Sequence, residues 1–220
     1  MGVQWIYNAV YPYFRGKRLD TFSRRFGLNG GPAAKVLDVG GCPTYWQYRE
    51  LPLDITCLNL PSYTPPADLR GCKIIRGDGT SLPFPDGSFD IAHSNSVIEH
   101  VGTWENQKAF AHEVRRVGRG VWVQTPAKYF PVECHTFEPF LHYLPNQYRR
   151  PILRNGTIWG LLTRPTPAEV DEFLASTRLL TFREMKELFP DCTIIVERFA
   201  GIPKSYIAFR PVMQEAAIAA

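Results

Sequence analysis

The chain reads as an α/β protein built on a doubly wound, mostly parallel sheet. Three stretches predict this: KVLDVGG at 35–41, Gly77 with Asp78 some 36 residues after Gly41, and SFDIAHSNSVIEHV at 88–101. The first is a short apolar run ending in glycines. The second ends in an acid, and the third ends in small polar residues before a helix. Short apolar runs bounded by turn residues are strands buried on both faces. Ligands on such sheets sit beyond the carboxyl ends of the strands, where strand order reverses.

The 220 residues suffice for one α/β domain over 1–220, with a two-sided core and length left for an insertion. The formal charge of +4 mildly favours anionic small molecules. No Lys/Arg run is long enough for a nucleic-acid arm, so no nucleic-acid partner is expected. Cysteines 42, 57, 72, 134 and 192 are odd in number, scattered and free of any C-x-x-C pair. That pattern argues against a disulfide framework and a zinc site, and it suits a reducing cytoplasm. No apolar run reaches the ~18 residues of a membrane span. The N-terminus lacks a secretory pattern. Asn155-Gly156-Thr157 matches the glycosylation triplet, which carries no meaning in a cytosolic protein.

The opening 1–29 mixes Trp5, Tyr7, Tyr11, Tyr13, Phe14, Phe22 and Phe26 with Arg15, Lys17, Arg18, Arg24 and Arg25. It reads as one or two short helices interrupted at Pro12. It has three readings: an aromatic cap over the ligand site, a homodimer contact, or a segment lying on a membrane surface. The cluster at 29–32 breaks the chain. Strands are expected at 35–39, 54–60, 72–76, 89–94, 120–125, 193–199 and 206–210. Between 105 and 117, Phe110, Val114 and Val117 recur at helical spacing, and Gly118 and Gly120 stop the helix. A second helix spans 182–189, with Thr181 and Glu184 as a capping box and Pro190 as its stop. Residues 127–178 break the alternation, with seven prolines from Pro126 to Arg178 and weak periodicity. A connection that long is expected to be a functional loop, a lid or acceptor-binding insertion. The small apolar tail after Arg210 is expected to fray.

Chemistry concentrates at the strand ends. In the first loop, Asp38 to Thr44, glycines Gly40 and Gly41 let the backbone approach a ligand. Cys42 follows them, and Pro43 suits a first helical turn. Asp38 is placed to accept from an ammonium group, and a plain strand-to-helix turn is the alternative. Asn59, beside Leu60, holds the place where an acid often binds ribose hydroxyls; its amide can accept one bond and donate another. Asp78 and Gly79 end the third strand, in a turn or facing an adenine amino group. Asn95 and Ser96 end the fourth strand on the same edge. His100 reads either as a buried histidine satisfied by a carbonyl or as part of the site.

Taken together, the strand ending DVGG, the LNL strand end, GDGTSLPFPDGSFDIAHSNSVIEHV and VWVQTPAKYFPVECH resemble a class I S-adenosylmethionine-dependent methyltransferase of the small-molecule type, over roughly 35–210. The resemblance implies a seven-stranded Rossmann-like sheet with a reversed final strand and an insertion between the fifth and sixth strands. It implies S-adenosyl-L-methionine as cofactor, with contacts at Asp38, Gly40, Asn59, Asp78, Gly79 and Asn95. Gly41, Cys42, Leu60, Ser96 and His100 complete the candidate cofactor set. Two departures stand out: Cys42 and Thr44 replace further glycines, and Asn59 replaces the ribose-binding acid. A non-catalytic cofactor-fold binding or scaffold protein therefore stays open as the alternative.

The expected activity moves a methyl group to an oxygen, nitrogen or carbon of a small molecule. It needs alignment, exclusion of water and, for a neutral nucleophile, a base. No metal is required. The segment 129–145 is expected to form the acceptor pocket, with His135 as first candidate base and Glu133 and His142 as second. Fastening the lid is the alternative role for all three. Arg149, Arg150 and Arg154 form a basic group that could hold an anionic acceptor. Rival classes lack their marks: no full G-x-G-x-x-G, no GK[ST] loop and no G-x-S-x-G elbow, and Arg116 stands where a zinc-protease helix starting at His112-Glu113 needs its second histidine.

Overall fold

The structure is a computed structural model that describes residues 4–28, 30–133, 136 and 138–212, with side chains from residue 14 onward. His135, Cys134 and Asn29 lie outside the described residues, as do the side chains of Trp5, Tyr7, Tyr11 and Tyr13.

Seven strands form one sheet: β1 (Ala34–Val39), β2 (Leu53–Asn59), β3 (Lys73–Arg76), β4 (Phe89–Asn95), β5 (Gly118–Pro126), β6 (Thr193–Phe199) and β7 (Ile202–Arg210). Their order is β3-β2-β1-β4-β5-β7-β6. The first five run parallel, and β7 is antiparallel to both β5 and β6. Strand order reverses between β1 and β4, so the ligand edge lies at their carboxyl ends.

The pleat sorts side chains onto two faces with a period of two. One face carries Leu37, Val39, Ala92, Val121 and Val123 against α2 (Trp104–Val117) and α6 (Phe182–Leu188). Phe110, Val114 and Val117 bury α2 there, and Thr103 caps it by accepting from the Asn106 N–H. The expected capping box of Thr181 with Glu184 starts α6. The other face carries Val36, Ile91, Trp122, Ile207 and Phe209 beneath α1 (Gln4–Phe26) and a 3₁₀ turn, Pro43–Tyr48.

Two expectations change. The opening segment is one helix that passes through Pro12. Proline in a helix removes one hydrogen bond, and burial of Leu19 and Phe22 against the sheet holds the rest of α1. Nor is 127–178 a loop: it contains α3 (Asn146–Asn155), α4 (Ile158–Thr163) and α5 (Pro167–Ser176), which share a small core of Leu141, Leu153, Val170 and Leu174. Its prolines fall at helix starts and turns, Pro167 beginning α5 behind the Thr166–Glu169 capping box. Pro151 is the exception, lying inside α3. Among the described residues no helix is long and apolar enough to cross a membrane.

Candidate active site

Two adjoining cavities open at the carboxyl edge of the sheet. The larger, about 600 Å³, lies over the ends of β1, β2 and β3 and is lined by Gly40, Asn59, Leu60, Asp78, Gly79, Ser96, His100 and Phe110. The smaller, about 300 Å³, lies over β4 and β5 and is lined by Phe14, Arg15 and Arg18 of α1, Asn95, Gln124, Phe130, Glu133, His142 and Lys204. Ser96 and His100 line both.

The larger cavity is built to admit a ligand against its backbone. Gly40 adopts φ +71°, and a Cβ there would lie 2.6 Å from a Val97 methyl. Asn59 is buried and donates through Nδ2 to the Gly41 carbonyl at 2.8 Å, which pins the first loop and leaves Oδ1 as an acceptor. Asp78 folds its own turn: Oδ1 accepts from the Thr80 N–H at 2.8 Å and from its hydroxyl at 2.9 Å. Asn59 Oδ1 and the Asp78 carboxylate are acceptors suited to hydroxyl and amino groups, while Leu60 and Phe110 supply apolar walls. A concave space with apolar walls and a few placed polar groups fits an adenosyl group.

Four expected cofactor residues do not line this cavity: Asp38, Gly41, Cys42 and Asn95. Asp38 follows Val36 by two, so the pleat sends its side chain to the α1 face. There Oδ1 lies 2.7 Å from His93 Nδ1, its register partner on β4, and Oδ2 accepts from Trp46 Nε1 at 2.9 Å. The carboxylate is 1% exposed and does not line the cavity. Gly41 packs on it: a Cβ would sit 2.0 Å from Asp38 Oδ2. Cys42 contacts Thr44 Oγ1 at 3.1 Å, outside the lining. Burial opposes its thiolate, yet hydrogen bonds with Thr44 and Tyr63 bring the thiol below its ordinary value.

The smaller cavity has a buried polar floor. Arg18 reaches across from α1, donating from Nη1 to Asn95 Oδ1 at 2.6 Å and to Gln124 Oε1 at 3.2 Å, and pairing with Glu197 at 2.6 Å. Burial works against the Arg18 charge, but Glu197 more than offsets it; the same pairing draws Glu197 below the usual carboxylate range despite its burial. Asn95 therefore serves this cavity rather than the larger one. Ser96 sits in the left-handed region at φ +56°, held by its N–H donating to the Gln124 carbonyl at 3.0 Å. A non-glycine residue held there marks a constrained site.

Of the candidate bases, Glu133 is buried and accepts from the Thr136 N–H and hydroxyl at 2.8 and 2.9 Å. His142 lies nearby. Both its ring nitrogens are buried without a hydrogen-bond partner among the described residues, although the backbone of Lys128 and Phe130 runs close. Burial lowers its pKa, favouring the neutral ring. His100 is exposed rather than buried, 3.4 Å from the Thr177 hydroxyl, because its short 3₁₀ turn buries Ile98 and Glu99 instead. The basic group of α3 is not in either cavity: Arg149 pairs with Glu138 at 3.4 Å and Arg150 with Asp171. Arg18, Gln124 and Lys204 were not foreseen. Gln124 alone carried a signal, as a polar residue inside the apolar strand VWVQTP.

A family profile described as a methyltransferase domain matches residues 37–120. An uncharacterized methyltransferase of Mycobacterium sp. (strain JLS) is 37% identical over 71 residues, covering 30% of this chain and 28% of that protein. A mouse protein named probable tRNA methyltransferase 9B is 29% identical over 120 residues, covering 52% of this chain and 26% of its own length. The match thus spans under a third of these relatives. Among solved structures, the PH0226 protein from Pyrococcus horikoshii OT3 shares the fold with a TM-score of 0.50 at 14% identity, over 89% of this chain and 90% of that one.

Proposed function

We propose that this chain is a class I S-adenosylmethionine-dependent methyltransferase and that it transfers a methyl group to a small-molecule acceptor bound in the smaller cavity. The observation that carries the reading is the pair of cavities sharing one wall, Ser96 and His100. When bound, S-adenosyl-L-methionine supplies a methyl group already activated on a sulfonium.

The chain's own residues do the rest. Gly40, Asn59, Leu60, Asp78 and Gly79 hold the nucleoside end in the larger cavity. The Arg18–Asn95–Gln124 floor keeps β4, β5 and α1 in fixed relation, so the acceptor is presented in one orientation. Phe14 and Phe130 exclude water. His142, neutral and lining the acceptor cavity, takes the proton from a hydroxyl or amine acceptor; Glu133, tied to Thr136, shapes the wall beside it. Arg15 and Lys204 make the cavity hospitable to an anionic acceptor. About 300 Å³ matches a small metabolite or a single nucleobase. The likeness to a tRNA methyltransferase makes a nucleotide the rival acceptor.

Calorimetry with S-adenosylmethionine, followed by transfer assays over small hydroxyl, amine and carboxylate compounds and over RNA, tests the reading. Asp78→Ala should weaken cofactor binding at least about tenfold, as loss of a charge-assisted contact does. His142→Ala should leave cofactor binding intact and lower turnover about 10²–10⁴-fold. Absence of cofactor binding would favour a scaffold, and transfer to RNA alone would replace the small-molecule acceptor.

A further inference from the structure

Between Glu138 and Glu169 the chain has no Asp or Glu, and it carries Arg149, Arg150, Arg154 and Arg164. The same stretch leaves large apolar side chains in solvent. Phe140 is 60% exposed, Tyr148 56% and Leu161 63%, and Leu144, Ile152 and Ile158 are each over 40%. Local structure explains why. In α3 only Leu153 is buried, and α4 packs back on it through Gly160, where a Cβ would lie 2.1 Å from the Leu153 carbonyl oxygen. Leu153 packs with Leu141 and with Val170 and Leu174 of α5, and the outer sides of α3 and α4 are left uncovered.

Four of these side chains are contiguous. Phe140, Leu144, Ile152 and Ile158 surround one open groove of about 480 Å³. The Phe140 ring lies 6.3 Å from Tyr143, and Tyr143 6.5 Å from Tyr129. Single exposed apolar residues are ordinary, but a joined group of them marks an interaction surface. The charge decides which kind. Arg149 and Arg150 have acidic partners, whereas Arg154 and Arg164 are exposed and have no ion pair among the described residues. Glu138 lines the groove but is buried against Arg149, so the unpaired exposed charge of α3 and the end of α4, among the described residues, is that of Arg154 and Arg164. Apolar side chains accompanied by such arginines complement an anionic bilayer, the former entering the headgroup zone and the latter meeting lipid phosphates.

We propose that the outer face of α3 and α4 docks on an anionic lipid surface. Tyr143, whose ring adjoins Phe140, packs on His142 at 4.1 Å, and His142 lines the smaller cavity. Docking does not depend on the methyl-transfer reading, and its test reads binding alone.

The full chain is sedimented with vesicles of phosphatidylcholine, and with vesicles containing about one-third phosphatidylglycerol. Binding is expected to the anionic vesicles, at least about tenfold weaker to the neutral ones, and reversed by high salt. Leu161→Glu and Arg154→Glu both alter exposed side chains, so circular dichroism should match the parent, and each should weaken binding at least about tenfold. No sedimentation with anionic vesicles overturns the proposal, as does parent-like binding by Leu161→Glu. A dimer in gel filtration that Leu161→Glu dissociates would mean that a second copy covers this face, and that too overturns it.

Discussion

Asn59 stands where nucleotide-binding sheets usually place an acid, and its neighbours explain the exchange. Its amide donates to the Gly41 carbonyl and holds the first loop against β2. A carboxylate cannot donate there and would face that carbonyl unpaired. Asn59→Asp should therefore destabilise the protein by about 1–3 kcal/mol, the cost of leaving a buried polar group unsatisfied. Urea unfolding at neutral pH measures it, and equal or higher stability would contradict this role. At the residue scale, position along the strand tells which residues reach the carboxyl edge, and their role toward the cofactor is the proposed one. Gly40, Asn59, Leu60, Asp78, Gly79, Ser96 and His100 do line the larger cavity. Which face of the sheet a strand-end side chain takes depends on the pleat. Asp38 and Asn95 share the α1 face with His93, so one is absorbed by His93 and Trp46 and the other by Arg18. Counting by twos from Val36 would have placed Asp38 correctly.

At the scale of elements, α1 is a layer of the fold rather than a removable cap. Phe22 is fully buried, with its ring 5.5 Å from Trp122, 5.6 Å from His93 and 5.8 Å from Trp46. Phe22→Ala should cost about 3–5 kcal/mol, as large-to-small changes in a close-packed core do. Loss of 1–29 should unfold the sheet, not merely impair ligand binding. Thermal unfolding of both variants measures this, and a truncated chain with an unchanged melting temperature would restore the cap. The strands and the two helices on the opposite face were legible because period and capping are local signals. The second face was not: α1 meets the sheet through contacts such as Arg18 with Glu197, 179 residues apart, which no local window contains. The helices of the insertion were hidden because prolines that start helices look like prolines that break them.

At the scale of the molecule, the sheet's reversal of order at β1 and β4 puts two cavities side by side. The insertion and α1 both line the smaller one. In the proposed reading the larger cavity holds the adenosyl cofactor and the smaller one receives its methyl group. A crystal structure grown with S-adenosylhomocysteine tests it most directly. The nucleoside is expected beside Asn59, Leu60 and Asp78, with the sulfur turned toward the wall of Ser96 and His100. Ligand bound elsewhere, or a sulfur directed away from that wall, would contradict it.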